Sequence, residues 1–299
     1  MRVHAEPRPL QAPLQGGSVN ATVMVEPLIA GEFQSPPAAQ EYEGQRLWKL
    51  SAFGRRANWI WVPVPAFFIR HPGAGPILVD TGLHASISSD PKQNFGRTAS
   101  WAVRPQLAPG EDVPAQLRSR GIDPREIKIV ILTHLHVDHA SAVSEFPDAT
   151  FVVSAFEWEA ATTDRNPTLR AYRPAQFDYV FDYRTVDFAA EGIDSYSTFG
   201  RTFDLFGDGS IRLAYTPGHS AGHMSVVCRL RDRDFVIAGD AVYTQRQLTG
   251  GAEPAEPADR HNWRRSRQEL QLFAREFPEA IIVPGHDPSF WSQLEGRYE

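Results

Sequence analysis

The residues His134-Leu135-His136-Val137-Asp138-His139 place four metal-binding side chains within six positions, directly after the apolar run Ile127–Leu132. On an extended backbone His134 and His136 project to the same side. Asp138 and His139 then fall at the opening turn of a following helix, where the chain reverses and returns two more ligands to that side. Imidazole and carboxylate donors clustered in this way suit a borderline divalent ion such as Zn²⁺. Three more strand ends repeat the theme. His219 follows Leu213-Ala-Tyr-Thr-Pro-Gly, Asp240 follows Phe235-Val-Ile-Ala-Gly, and His286 follows Ile281-Ile-Val-Pro-Gly. Polar residues of metal-binding type after apolar strands, three times over, are what a site built on one rim of a sheet sandwich requires.

Composition supports that chemistry. The chain of 299 residues holds ten histidines and a single cysteine, so a transition-metal site must use imidazole and carboxylate rather than thiolate. The lone Cys228 excludes a disulfide within one chain, and its place inside a hydrophobic strand marks it as inert packing. With 30 Lys+Arg against 36 Asp+Glu and a net charge of −6, a polyanion is disfavoured as partner and no nucleic acid is expected. The first twenty residues lack an apolar leader core, and the most apolar stretch, Trp59–Ile69, is short and holds two prolines, so no membrane association and a cytoplasmic location are expected.

The elements that must position these residues follow from hydrophobic patterning. A single unit spanning 1–299 is expected, with 1–21 an irregular N-terminal arm, either disordered or laid over the body. Strand-length apolar runs occupy Thr22–Ile29, Arg46–Phe53, Trp59–Arg70 and Pro76–Asp80. Pro63 and Pro65 argue for a bend or edge position in the third of these. The polar stretch Leu83–Gly110, with Phe95, Trp101 and Val103 interspersed, reads as a long loop. The middle then alternates helix and strand: Val113–Arg120 (helix), Ile127–Thr133 (strand), Asp138–Phe146 (helix), Thr150–Ser154 (strand) and Ala155–Thr163 (helix). Strands return at Thr202–Phe206, Ile211–Thr216, Met224–Leu230 and Asp234–Asp240, followed by the helix Trp263–Phe277 and the strand Ala280–Pro284. Each half runs from several strands to a helix, the plan of two sheets packed face to face with helices outside.

These motifs, together with Val79-Asp80-Thr81-Gly82, resemble the metallo-β-lactamase superfamily of dinuclear metallohydrolases from about Trp59 to the C-terminus. The resemblance implies an α/β fold, an αβ/βα four-layer sandwich of two mixed sheets. It implies two Zn²⁺ ions, the first on His134, His136 and His219, the second on Asp138, His139 and His286, with Asp240 bridging. Asp80 is then expected behind the site, orienting a histidine or the loop that carries His134. Of the other histidines, His84 and His223 are the two near enough in sequence to reach the edge of the site.

Within the superfamily, Asp240 disfavours the zinc β-lactamases, and the thirteen residues after His286 are too few for the helical domain of glyoxalase II-type thioesterases. Tyr243, three residues after Asp240, resembles the N-acyl homoserine lactone lactonases of the quorum-quenching branch. That branch implies a small-molecule lactone or ester substrate, a possible homodimer, and attack on the lactone carbonyl by a metal-bridging hydroxide. In the mechanism this resemblance implies, Tyr243 would be the oxyanion donor and Asp138 the proton shuttle to the departing ring oxygen. Phe53, Trp59, Trp61, Phe67, Phe68, Phe95 and Trp101 are candidates for an apolar wall around an acyl chain. The competing readings are a zinc hydrolase of another lactone, a carboxylic ester or an organophosphate triester, a catalytically silent metal-binding member, and an iron-dependent oxidation domain.

Overall fold

The computed structural model describes residues 3–42, 55–255 and 257–299; the strand expected over Arg46–Phe53, and Phe53 with it, lies outside these residues. Two sheets form. The first comprises β1 (Arg8–Pro9), β2 (Met24–Ser35), β3 (Ile60–His71), β4 (Gly75–Val79), β5 (Ile129–Ile131), β6 (Thr150–Ser154) and β7 (Asp182–Val186), in the order β1-β7-β6-β5-β4-β3-β2. The second comprises β8 (Asp194–Tyr196), β9 (Phe199–Asp204), β10 (Ile211–Tyr215), β11 (Met224–Arg229), β12 (Asp234–Gly239) and β13 (Ile281–Pro284), in the order β13-β12-β11-β10-β9-β8. Both are mixed: β4 to β7 run parallel and β2 to β4 antiparallel, while only the β12–β13 pair of the second sheet is parallel.

The four layers follow from the period-two alternation of apolar strands. Phe67, Ile69, Ile77, Val79, Ile129 and Ile131 of the first sheet face Ile211, Leu213, Val226, Phe235 and Ile237 of the second across a shared core. Phe68, Leu78 and Val130 face outward and pack under Val113, Leu117 and Trp158 of the helices Val113–Ser119 and Ala155–Thr163. Val227, Val236 and Ile282 do the same under Leu270 and Phe273 of the helix Arg260–Glu276. That helix starts at Asp259, whose carboxylate accepts from the Asn262 N–H, and buries Trp263, Ser266, Leu270 and Phe273 along one stripe. Cys228 is buried in the shared core, where desolvation pushes its thiol up.

Two expectations need correction. Leu83–Gly110 is not a structureless loop: Asp90 caps a helix over Pro91–Val103, accepting from the Lys92 N–H, and the chain kinks at Gly96 with φ +75°. Asp138–Phe146 is not a continuous helix but a series of turns ending in the 3₁₀ turn Val143–Glu145. The Trp59–Arg70 run becomes β3, paired on both sides from Phe67 onward, while Pro63 and Pro65 occupy its first half, which pairs only with β2, beside a shift of register between Ile29 and Glu32. A proline has no N–H to give a second neighbour, and here it is asked for none. The N-terminal arm is laid over the body rather than disordered. Arg8 and Pro9 add a parallel edge strand to β7, and the Leu10 and Leu14 N–H groups donate to the carbonyls of Thr185 and Leu205.

Candidate metal centre

Strand direction brings the sequence-predicted residues together. β4 and β5 are parallel neighbours, so Asp80 and His134 leave the same edge of the first sheet. β10 and β12 each run antiparallel to β11, and β13 runs parallel to β12, so His219, Asp240 and His286 leave one edge of the second. The Met224 N–H donates to the Thr133 carbonyl at 3.0 Å and ties the two edges.

His134, His136 and His219 form one group, His134, His139 and Asp240 a second, and Asp138, His139 and His286 a third, each with ligand atoms within 4.8 Å of one another. All seven predicted ligands therefore sit in one cluster. Nε2 of His219 lies 3.1 Å from Nε2 of His134 and 2.8 Å from Nδ1 of His136. Burial holds His134, His136 and His219 below the usual imidazole range, most strongly at His134 and His219, so three lone pairs converge on one point. Asp240 stands between the groups: Oδ2 lies 3.2 Å from Nε2 of His219 and 3.3 Å from Nε2 of His286, and Oδ1 lies 3.5 Å from Nε2 of His139. Nε2 of His286 is 3.6 Å from Oδ2 of Asp138.

Partners behind the cluster set which nitrogen faces inward. Asp80, at φ +56°, accepts from the Thr133 N–H (2.8 Å), the Thr133 hydroxyl (2.7 Å) and Nδ1 of His139 (2.8 Å). It thus orients both a histidine and the loop carrying His134. Nδ1 of His286 donates to the Pro63 carbonyl at 2.8 Å. With Nδ1 protonated in both rings, Nε2 of His139 and of His286 present lone pairs to the cluster.

The donor set fits a pair of divalent ions on the geometry itself. Nε2 of His139 and Oδ1 of Asp240 are buried with no hydrogen-bond partner, in a protein interior where such groups are normally satisfied. Desolvation would lower His139, yet the carboxylates of Asp138, Asp80 and Asp240 push it well above the ordinary imidazole value, and Asp240 and Asp138 raise His286 in the same way. Positive charge is what these carboxylates demand.

Two contributors escaped the sequence reading in whole or part. Glu157, fully buried on the helix Ala155–Thr163, accepts from the Leu135 N–H, the Ser220 hydroxyl and the Gly222 N–H. Nothing in its sequence surroundings separates it from an ordinary helix-face glutamate. His223, expected only near the edge, lies directly behind Asp240: its Nε2 accepts from the Asp240 N–H at 3.0 Å and its Nδ1 contacts the Thr216 carbonyl at 3.1 Å. Burial brings it down to about 4, so it stays a neutral acceptor. A Cβ at Gly239 would lie 2.7 Å from that Nε2, and its φ of +53° also calls for glycine. His84 pairs with Glu145 instead and stays outside the cluster.

The cluster floors a cavity of about 360 Å³ whose lining includes His136, Asp138, His219, Asp240, Tyr243 and His286. Its apolar walls include Phe33, Trp59, Phe95, Val103 and Val137. Trp59 and Phe95 are thus where the sequence reading put them. Phe67 and Phe68 are core residues, Trp61 and Trp101 are not among the lining residues, and Phe33 is an unforeseen wall. Trp101 is 73% exposed and stacks on the Arg56 guanidinium, which also lies over Trp59. Tyr243 hydrogen-bonds Nδ1 of His219, and burial with the nearby Asp240 and Asp138 carboxylates pushes its phenol well above its usual value.

Comparison with known proteins agrees with this architecture. The family model for the metallo-beta-lactamase superfamily matches residues 59–286. The chain belongs to this superfamily. The N-acyl homoserine lactonase AttM of Agrobacterium fabrum is 32% identical over 237 residues, covering 78% of this chain and 85% of that protein. The protein of the same name from Azorhizobium caulinodans is 33% identical over the same length. A probable metallo-hydrolase of Mycobacterium tuberculosis is 28% identical over 234 residues, covering 73% and 72%. Among solved structures, an N-acyl homoserine lactone hydrolase with the product N-hexanoyl-L-homoserine bound at its catalytic metal centre shares the fold. It superposes with a TM-score of 0.74 at 21% identity, covering 92% of this chain and 97% of the other. No helix among the described residues is long and apolar enough to cross a membrane.

Proposed function

We propose that this metal-dependent hydrolase opens the lactone ring of N-acyl homoserine lactones, the whole chain acting as one catalytic unit with two zinc ions. His134, His136 and His219 would hold one ion, Asp138, His139 and His286 the other, and Asp240 both. The observation that carries the reading is the union of these seven side chains with a tyrosine hydroxyl at the floor of an apolar cavity. The likeness to lactonases at 32–33% identity supports it.

Bound there, two dications supply Lewis acidity toward an ester oxygen and an activated water near neutral pH. The chain's own residues supply the rest. With Nε2 of His219 turned to the cluster, its Nδ1 carries the proton and donates to the Tyr243 oxygen, leaving the phenol O–H free to point into the cavity. A phenol kept neutral is a donor for charge developing on a lactone carbonyl oxygen. Asp138 lines the cavity, and despite its burial the neighbouring His139 and His286 hold it ionised, well below the usual carboxylate range. As a carboxylate it accepts a proton from the attacking water and delivers it to the ring oxygen as the acyl C–O bond breaks. Phe33, Trp59, Phe95 and Val103 offer dry contact to the acyl chain.

The test is a panel of N-acyl homoserine lactones, simple lactones, carboxylic esters and organophosphate triesters offered to the zinc-loaded chain. Preference for the first class is expected. Ester or triester turnover without lactone opening would favour the other hydrolases.

A further inference from the structure

Glu157 is a buried carboxylate with no ion-pair partner among the described residues, and it takes no part in the mechanism above. Three of its hydrogen bonds go to two separate loops. One oxygen accepts from the N–H of Leu135 at 3.0 Å, the residue between His134 and His136. The other accepts from the Ser220 hydroxyl at 2.7 Å, next to His219, and from the Gly222 N–H at 2.9 Å. The second loop lies directly on the helix that bears Glu157, since a Cβ at Gly222 would fall 2.1 Å from the Glu157 backbone nitrogen. No such contact runs from Glu157 to Asp138, His139 or His286 among the described residues.

We propose that Glu157 is the positioning residue of the His134, His136 and His219 group: one carboxylate clamps the two loops that carry these imidazoles and sets the gap in which the first ion sits. This rests on the reading of the centre as dinuclear and adds to it a division of labour. Asp80 supports the loop through Thr133 and His139, whereas Glu157 supports the all-histidine side alone. Its charge matters as well as its reach. The three imidazoles are neutral donors, so the negative charge that offsets a dication there comes from carboxylates around them, Glu157 among them from behind the loops.

The test uses the full chain, stripped of metal and titrated with zinc against a chromophoric chelator. In the wild type two binding steps are expected. In Glu157→Gln, which keeps the size but loses the charge and one acceptor, one step weakens by about 10- to 100-fold and the other stays within about twofold. Glu157→Asp keeps the charge on a shorter arm and weakens the same step by less. A folded Glu157→Gln with both wild-type constants overturns the proposal, as does equal weakening of both steps. Should Glu157→Gln not fold, Glu157→Asp decides, and wild-type constants in that variant overturn it. A wild-type chain that takes up no zinc overturns the dinuclear reading instead, and this proposal with it.

Discussion

At the residue scale, the centre is an exercise in orienting imidazoles. His139 and His286 each give a proton from Nδ1 to a fixed acceptor, Asp80 or the Pro63 carbonyl, and keep Nε2 for the cluster. Replacing Tyr243 by Phe removes a single donor aimed into the cavity. Turnover of N-hexanoyl homoserine lactone should fall about a hundredfold while zinc content stays at two per chain, measured by assay and elemental analysis together. Protons and metal compete for the same nitrogens. His139 and His286 are raised above the usual imidazole value, so in metal-free protein they hold their protons to higher pH than an ordinary imidazole, and zinc must displace them. Zinc uptake should therefore release protons at pH values below those raised ones, read with a pH indicator in weak buffer, and the release should fade as the pH is taken above them. Apparent zinc affinity should rise with pH until those raised values are passed; His134, His136 and His219, held low, contribute none of the release. The seven clustered residues were legible from sequence because they fall in the short segments that follow apolar strands. Glu157 was not, because its partners lie 22, 63 and 65 positions away, which no local pattern records.

At the element scale, the second sheet's central strands and the helix Arg260–Glu276 were readable from alternation and amphipathic spacing, and the observed bounds differ by a few residues. The helix Pro91–Val103 was not. Its own apolar residues are few, and its stability comes from Phe95, Ala99 and Val103 packing with Leu83, Ile87 and Leu107 into a small satellite core. The Asp90-Pro91 pair was the available signal, a capping carboxylate followed by a proline at the first helical position. Strands β7 and β8 also went unread, since Asp182–Val186 and Asp194–Tyr196 are rich in polar residues and gain their pairing from neighbours far along the chain. The helix presents Phe95, Ala102 and Val103 to the cavity, while Trp101 turns outward onto Arg56. Trp59→Ala should accordingly raise KM for a decanoyl substrate roughly fivefold more than for a butanoyl one, the loss of about 1 kcal/mol of apolar contact. Trp101→Ala should change the two alike. Equal effects of Trp59→Ala on both chain lengths would remove Trp59 from the acyl wall.

At the scale of the whole molecule, function follows from which strand ends share an edge. The parallel pairs β4–β5 and β12–β13 and the same-sense β10 put Asp80, His134, His219, Asp240 and His286 at the meeting edges of two sheets that pack through one core. Sequence can announce that polar residues follow strands, but the order of strands in space depends on contacts across most of the chain, and only the fold shows that these ends coincide. The N-terminal arm makes the same point: its polar, proline-rich composition gives no periodic signal, yet it adds an edge strand and sends Leu10 and Leu14 against the shared core. We propose that this convergence makes a zinc-dependent lactonase. It is tested most directly by following acid release in a pH-stat as the chain, loaded with two equivalents of zinc, acts on N-hexanoyl-L-homoserine lactone. Ring opening should release one equivalent of acid per lactone, cease on chelation and return on adding zinc. A chain that holds two zinc ions yet releases acid no faster than buffer would contradict the account.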